Sequence, residues 1–286
     1  MAAGVTGPGS PVSHPGGICD THGTAMMSAD PAPDRVREGS PPEAARVLAI
    51  AATFQERDNI LRLAAAVLAA DPRLDLLVID DDSPDGTGDL VAEQAAVEPR
   101  LTVLVRRGRR GLGSAVMDGL REARSRGYQL AVNLDADFSH DPADIPRLLA
   151  AVEPPGEPPA DVVVGSRKIH GGDVVGWPLS RHILSRLVCW WTRWIMRVPA
   201  RDGSSGFRVI RLDVLDMIES PTDSYAFHEQ TLWQVHRAGG LIREVPIIFT
   251  DRRQGTSKAN LRQMMKGGGD LLRFGLATWC SLGERR

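Results

Sequence analysis

Short apolar runs alternate with helix-period stretches through the middle of this chain, and that alternation leaves few folds open. Residues 47–51, 74–79, 101–105, 128–134 and 161–165 read as strands, while residues 56–70, 87–97 and 111–126 read as helices. The first helix carries Ile60, Leu61, Leu63, Val67 and Leu68 at helical spacing and ends at Asp71-Pro72. Asp141-Pro142 opens a further helix, with proline in its first turn. Strands alternating with helices imply βαβ units, an α/β fold and a mostly parallel sheet. In such a sheet ligands bind beyond the carboxyl ends of the strands. Two of those ends are acidic here, Asp80-Asp81-Asp82 and Asp135-Ala136-Asp137.

Composition narrows the function classes. A chain of 286 residues, 42% hydrophobic, buries a core without staples. Its 34 basic and 36 acidic side chains leave a net charge of −2, with no basic field for nucleic acid. Cys19, Cys189 and Cys280 are odd in number and far apart, which excludes a disulfide framework and a cysteine-based zinc site and suits a reducing compartment. No apolar run reaches the roughly 18 residues of a membrane span. The N-terminus shows no basic segment leading into an apolar one, as a signal peptide would. Residues 1–45, rich in Gly, Pro, Ser and Ala, read as a disordered tail. One folded domain is expected over residues 46–286, with a surface linker at 154–159.

Side chains at i and i+2 of an extended segment point to one side, so Asp135 and Asp137 can hold a hard divalent cation that also binds substrate phosphates. The triplet alone equally describes a solvated acidic turn. Its place after an apolar strand, beside a second acidic strand end, favours the cation. At that second end Ser83 to Gly86 read as a turn and helix cap, with Asp81 facing ligand. Arg107-Gly108-Arg109-Arg110-Gly111-Leu112-Gly113 suits either an anion at a helix N-terminus or a tight helix start. It lacks the Gly-Lys-Ser/Thr ending of a nucleotide-triphosphate loop, and no Gly-x-Gly-x-x-Gly follows the first strand.

Two amphipathic helices are expected, at about 181–198 and 259–280. Arg186, Arg193 and Arg197 share one face of the first, with Ile183, Leu187, Trp191, Trp194 and Val198 around its other sides. Arg262, Lys266 and Arg273 repeat the spacing on the second. Such helices pack on a sheet or lie in a lipid headgroup region, and two of them together favour a membrane-facing surface. Between the helices, Asp251-Arg252-Arg253-Gln254-Gly255-Thr256-Ser257-Lys258 suits a clamp on a diphosphate, or a plain surface loop.

Taken in order, several motifs converge. They are Thr53-Phe54-Gln55-Glu56, Ile79-Asp80-Asp81-Asp82-Ser83-Pro84-Asp85-Gly86-Thr87, Gly111-Leu112-Gly113 and Leu134-Asp135-Ala136-Asp137-Phe138-Ser139-His140. After these come Val164-Gly165-Ser166-Arg167, Gly176-Trp177, Ser185-Arg186, Ser205-Gly206-Phe207-Arg208, Glu244-Val245-Pro246-Ile247, Asp251-Arg252 and Gly255-Thr256-Ser257-Lys258. In this order, residues 46–279 resemble the polyprenyl-phosphate (dolichyl-phosphate) mannose synthases of glycosyltransferase family two. The resemblance implies a GT-A type fold and inverting transfer of mannose from GDP-mannose to a polyprenyl phosphate. It implies a donor site of Ala52, Phe54, Glu56, Ile79, Asp81, Asp135, Ala136, Asp137, Arg252 and Lys258. Asp135 and Asp137 would hold Mg²⁺ or Mn²⁺. Asp137 and Arg167 would be catalytic, with Arg167 and Arg186 at the acceptor phosphate.

Three features depart from the family pattern. Ala52 and Phe54 replace the usual proline and tyrosine of Pro-Thr-Tyr-Asn-Glu, and Asp82 replaces a glycine. The chain also stops shortly after the second amphipathic helix, like the family's soluble catalytic subunits. A peripheral place at the cytoplasmic face of a membrane is therefore expected, directly or through a separate membrane-anchoring subunit. Other readings are the same fold and acceptor with a donor such as UDP-glucose, and a non-catalytic nucleotide- or lipid-binding subunit. A polysaccharide-extending transferase would show a carboxylate base for a sugar hydroxyl.

Overall fold

A computed structural model of the chain describes residues 45–218, 226–251 and 268–276. Apart from Ala45, the tail expected at residues 1–45 lies outside them. The chain runs β1 (Val47–Thr53), α1 (Ile60–Ala70), β2 (Leu74–Asp80), α2 (Thr87–Ala95), β3 (Leu101–Val105), α3 (Leu112–Ser125) and β4 (Leu130–Asp135). A 3₁₀ turn at Pro142–Asp144 leads into α4 (Ile145–Ala150), with Asp141 capping it by accepting from the Ala143 amide. Then follow β5 (Val162–Ser166), β6 (Asp173–Val175), α5 (Leu179–Trp194), β7 (Arg208–Arg211), α6 (Phe227–Arg237), β8 (Ile242–Pro246) and β9 (Ile248–Thr250).

Seven strands form one sheet in the order β3-β2-β1-β4-β7-β5-β8. All its pairs are parallel except those of β7, which runs antiparallel between β4 and β5. The first strand feeds β2 and β3 on one side and pairs with β4 on the other. The crevice beyond the carboxyl ends of β1 and β4 is therefore a topological switch point, the place where open sheets bind ligands.

Strands buried on both faces explain the apolar runs. In β1, Val47, Ala49 and Ala51 pack beneath α1, α2 and α4, while Leu48 and Ile50 join the opposite core under α3 and α6. The apolar run from Val245 to Phe249 is divided at Ile247 between β8 and β9. Its amide still donates to Ser166 O of the main sheet, while its carbonyl accepts from Asp173 of a second, two-stranded sheet of β6 and β9. Sequence patterning missed β6, β7 and α6. The first two are short, and α6 buries polar residues among its apolar ones.

Helix α3 lies close on the sheet because Gly119 has no side chain. A Cβ there would sit 2.7 Å from both Ile50 Cγ2 and Ile79 Cδ1. Gly119→Val is expected to lower stability by about 1–3 kcal/mol through overpacking, measurable as a lower denaturant midpoint with unchanged slope.

Candidate active site

The carboxyl end of β4 delivers Asp135 and Asp137 into the switch-point crevice. Asp137 accepts from the Ser139 amide at 3.0 Å, and Phe138 between them takes a positive φ of 61°. Behind the turn lies His140, fully enclosed, stacked on Phe207 at 5.0 Å and edge-on to Phe249. Its Nδ1 accepts from the Asp135 amide at 3.1 Å. Burial pushes its pKa down, in keeping with an Nδ1 that accepts a hydrogen bond. No lysine or arginine among the described residues forms an ion pair with Asp135. Ala136 is buried in the core, so only its backbone faces the crevice. On the far side, a Cβ at Gly206 would lie 3.6 Å from Asp135 Oδ1 and 3.2 Å from His228 Nε2. The glycine keeps open a space that a side chain would fill.

The other acidic strand end is built differently. Asp80 caps the turn, accepting from the Ser83 amide and hydroxyl, and Asp85 accepts from the amide and hydroxyl of Thr87. Ser83 to Gly86 are thus structural, as expected. Asp82 takes a φ of 57°, a left-handed conformation that aspartate tolerates better than most residues. Asp81, expected to face ligand, is instead occupied within the protein. Its Oδ1 takes Arg106 Nε at 2.7 Å and Nη2 at 2.6 Å, and its Oδ2 takes the Gly111 amide at 3.0 Å. The carboxylate ties together the two ends of the basic loop. Ile79 likewise turns its side chain into the core beneath α3, leaving its backbone at the sheet edge. Phe54, half-buried, lies under the guanidinium of Arg110, 4.4 Å from Cζ to ring centroid. The Glu56 carboxylate accepts from Asn59, and the Glu56 amide donates to the Thr87 hydroxyl.

Beyond β5 lies a second concentration of charge. Arg167 forks onto Asp202, Nε to Oδ2 and Nη2 to Oδ1, both at 2.7 Å, and Nη2 also reaches Ser204. Burial would raise the Asp202 pKa, yet Arg167 holds it down at about 2. The Asp202 and Arg201 amides in turn donate to Glu244 of β8. Nη1 of Arg167 makes no hydrogen bond among the described residues. Beside this pair, Lys168, Arg186, Cys189, Trp190, Arg193 and Arg201 line a cavity of about 390 Å³. Four of the six are cationic. Burial pushes the Cys189 thiol up to about 11, so it adds no negative charge.

Helix α5 carries two of those cations and turns much of its apolar side outward rather than onto the sheet. Only Ser185, Cys189 and Thr192 are buried, whereas Leu179, Ile183, Leu184, Leu187, Trp190 and Trp194 are all exposed. Ile183, Leu187, Trp190 and Trp194 form one outward apolar stripe, and Arg186 and Arg193 lie between it and the buried face. Trp191 packs inward against the helical stretch at 268–276. Arg252 and Lys258, expected over the donor, lie outside the described residues, as do Arg262 and Lys266. Asp251 is described, and it pairs with Arg181 of α5 at 2.9 Å.

A buried polar group lies behind the site, and the motif ending in Arg208 gave no sign of its partners on α6. Arg208 is enclosed and donates to Ser205 O, Gly203 O, His228 O and the Thr231 hydroxyl. Glu229, also enclosed, has an Oε2 without a hydrogen-bond partner. No apolar periodicity marks such residues, because Arg208 of β7 finds its partners in the loop just before it and on α6, some twenty residues on.

The family-level model for glycosyl transferase family 2 matches residues 49–216. The chain belongs to glycosyl transferase family 2. This family 2 chain is 39% identical to a polyprenol monophosphomannose synthase of Mycolicibacterium smegmatis over 227 residues, covering 77% of this chain and 84% of that one. It is 38% identical to an undecaprenyl-phosphate mannosyltransferase of Micrococcus luteus over 246 residues, or 84% and 98% of the two chains. Among solved structures, a mannosyltransferase of Pyrobaculum calidifontis in complex with GDP-Man and Mn²⁺ superposes with a TM-score of 0.54 at 18% identity, covering 82% and 67%. Glucosyl-3-phosphoglycerate synthase of Mycobacterium tuberculosis in complex with UDP gives 0.60 at 15%, covering 82% and 80%. The fold is the GT-A fold of these glycosyltransferases.

Burial raises the Glu229 pKa from 4.5 to about 7. The folded state then holds a proton that the unfolded state releases between those values, so this group's stabilisation is complete below pH 4.5 and lost as pH rises through 7. The buried histidines act in the opposite direction, so the difference between proteins isolates Glu229. Relative to Glu229→Gln, the unaltered chain is expected to lose melting temperature steadily from about pH 4.5 to 7. Parallel curves would show that Glu229 titrates normally.

Proposed function

We propose that this chain transfers a mannosyl group from GDP-mannose to a polyprenyl phosphate, with inversion at the sugar C1. The observation that carries the reading is the pairing on α5 of a four-cation cavity with an exposed apolar stripe. A phosphate on a long hydrocarbon chain needs both, side by side. The names of the two curated relatives agree with that acceptor.

The donor diphosphate would lie in the β1–β4 crevice, with the nucleoside toward β2 and the sugar toward Asp202 and Arg167. Asp135 and Asp137 would hold a divalent cation there. The donor set fits: two carboxylates at a strand end, one without a lysine or arginine ion pair among the described residues, and a space kept open by Gly206. No cluster of three or more histidine, cysteine or acidic ligands occurs among the described residues, so substrate oxygens would complete the shell, as suits Mg²⁺ or Mn²⁺. When bound, the cation supplies charge neutralisation to the leaving diphosphate.

The chain's own residues do the rest. The acceptor phosphate is anionic at neutral pH and needs orientation more than deprotonation. Lys168, Arg186, Arg193 and Arg201 supply net positive charge for it. Arg167, its charge balanced by Asp202, offers Nη1 as a fixed hydrogen-bond donor and acts in positioning. Arg252 and Lys258 would contact the donor from the segment after β9. The apolar stripe of α5 would rest on the membrane that holds the acceptor, at its cytoplasmic face. No helix among the described residues is long and apolar enough to cross a membrane.

Purified protein with labelled GDP-mannose, a short polyprenyl phosphate and Mn²⁺ is expected to move label into the organic phase. Chelation of the metal should stop transfer, and Asp137→Ala should abolish it while leaving the melting temperature within a few degrees. Transfer from UDP-glucose alone would replace the donor. Binding of nucleotide without any transfer would favour a non-catalytic role.

A further inference from the structure

We infer that Arg110 reads the nucleobase of the donor and selects a 6-oxopurine such as guanine. The inference rests on the donor site proposed above. The basic loop contains Arg106, Arg107, Arg109 and Arg110, but they are not equivalent. Arg106 is enclosed and spent on Asp81, Asp118, Ser114 and the Gly111 carbonyl. Arg109 pairs with Asp118 at 3.1 Å. Arg110 is exposed and forms no ion pair among the described residues. Its contact is with the Phe54 ring, 4.4 Å from the guanidinium carbon.

Two features fix where Arg110 sits. Asp81 grips the loop at both ends, Arg106 on one side and the Gly111 amide on the other. Arg110, next to Gly111, is therefore held at the carboxyl edge of β1 and β2. Phe54 then holds its guanidinium carbon over the ring. A guanidinium held over an aromatic face leaves the N–H groups at its edge for a ligand. With the diphosphate at the β4 end of the crevice, the base extends toward β2 and β3, where this edge waits.

The chemistry of the fork decides which base it takes. Guanine presents O6 and N7 as adjacent acceptors, which an arginine fork meets with two parallel hydrogen bonds. Adenine offers one acceptor beside an amino donor that the fork repels. Uracil offers a carbonyl beside an N–H donor. Lysine keeps the charge without the fork.

Calorimetric titration of the full chain with GDP, UDP and ADP in the presence of Mn²⁺ tests this. Arg110→Ala is expected to weaken GDP binding about tenfold while changing UDP and ADP by less than about twofold. Arg110→Lys should be nearly as weak for GDP as the alanine variant. Both variants should melt with the unaltered chain, since Arg110 is exposed. Equal losses for all three nucleotides, no loss for GDP, or full recovery with lysine would each overturn the inference. An unaltered chain that binds UDP more tightly than GDP would instead overturn the donor reading itself.

Discussion

A carboxylate with no exposed surface, Asp202, organises the half of the molecule that faces the proposed acceptor. Burying a charge this deeply is costly unless it is paired and hydrogen-bonded. Here the Arg167 fork meets both oxygens, and the Asp202 amide is tied to Glu244 of the edge strand β8. The arrangement links β5, β8 and the segment leading into β7. It also settles the local charge. Arg167 is balanced by Asp202, so the attraction for an anion comes from the ring of cations outside that pair.

The proposed donor half repeats the device. Arg106 follows β3 as Arg167 follows β5, and each turns back onto a buried or nearly buried aspartate. Asp81 uses its second oxygen to pin the Gly111 amide, which starts α3. A fork on a carboxylate fixes orientation as well as distance, so both strand ends become rigid ledges. Between them, Asp135 stays without such a partner among the described residues. One acidic strand end is consumed in building the site, and the other retains charge for what the site binds.

The strands β1 to β5 and the helices between them were legible because they are buried on both faces or on one clear stripe. Asp135 and Asp137 were legible from their position after such a strand. The role of Asp81 was not, because Asp80-Asp81-Asp82 reads as three like charges until Arg106 is seen to fold back from the next strand. Asp202 sits in Arg201-Asp202-Gly203, which reads as an ordinary polar turn. Its partner lies far away along the chain and reaches it only through the pairing of β5 with β7. The amphipathic character of α5 was evident, but which of its apolar residues face outward was not. Periodicity defines an apolar face without saying whether protein or solvent lies against it, and here Ile183, Leu187, Trp190 and Trp194 look outward.

The proposed division into a donor crevice at β1 and β4 and an acceptor cavity beside α5 is tested most directly by initial-rate kinetics on Arg186→Ala with both substrates varied. Arg186 lines the cavity and is exposed, so its removal should leave the fold intact. The expected result is a KM for polyprenyl phosphate raised about tenfold, with the KM for GDP-mannose changed less than about twofold. A raised KM for the donor with the acceptor unaffected would contradict the arrangement.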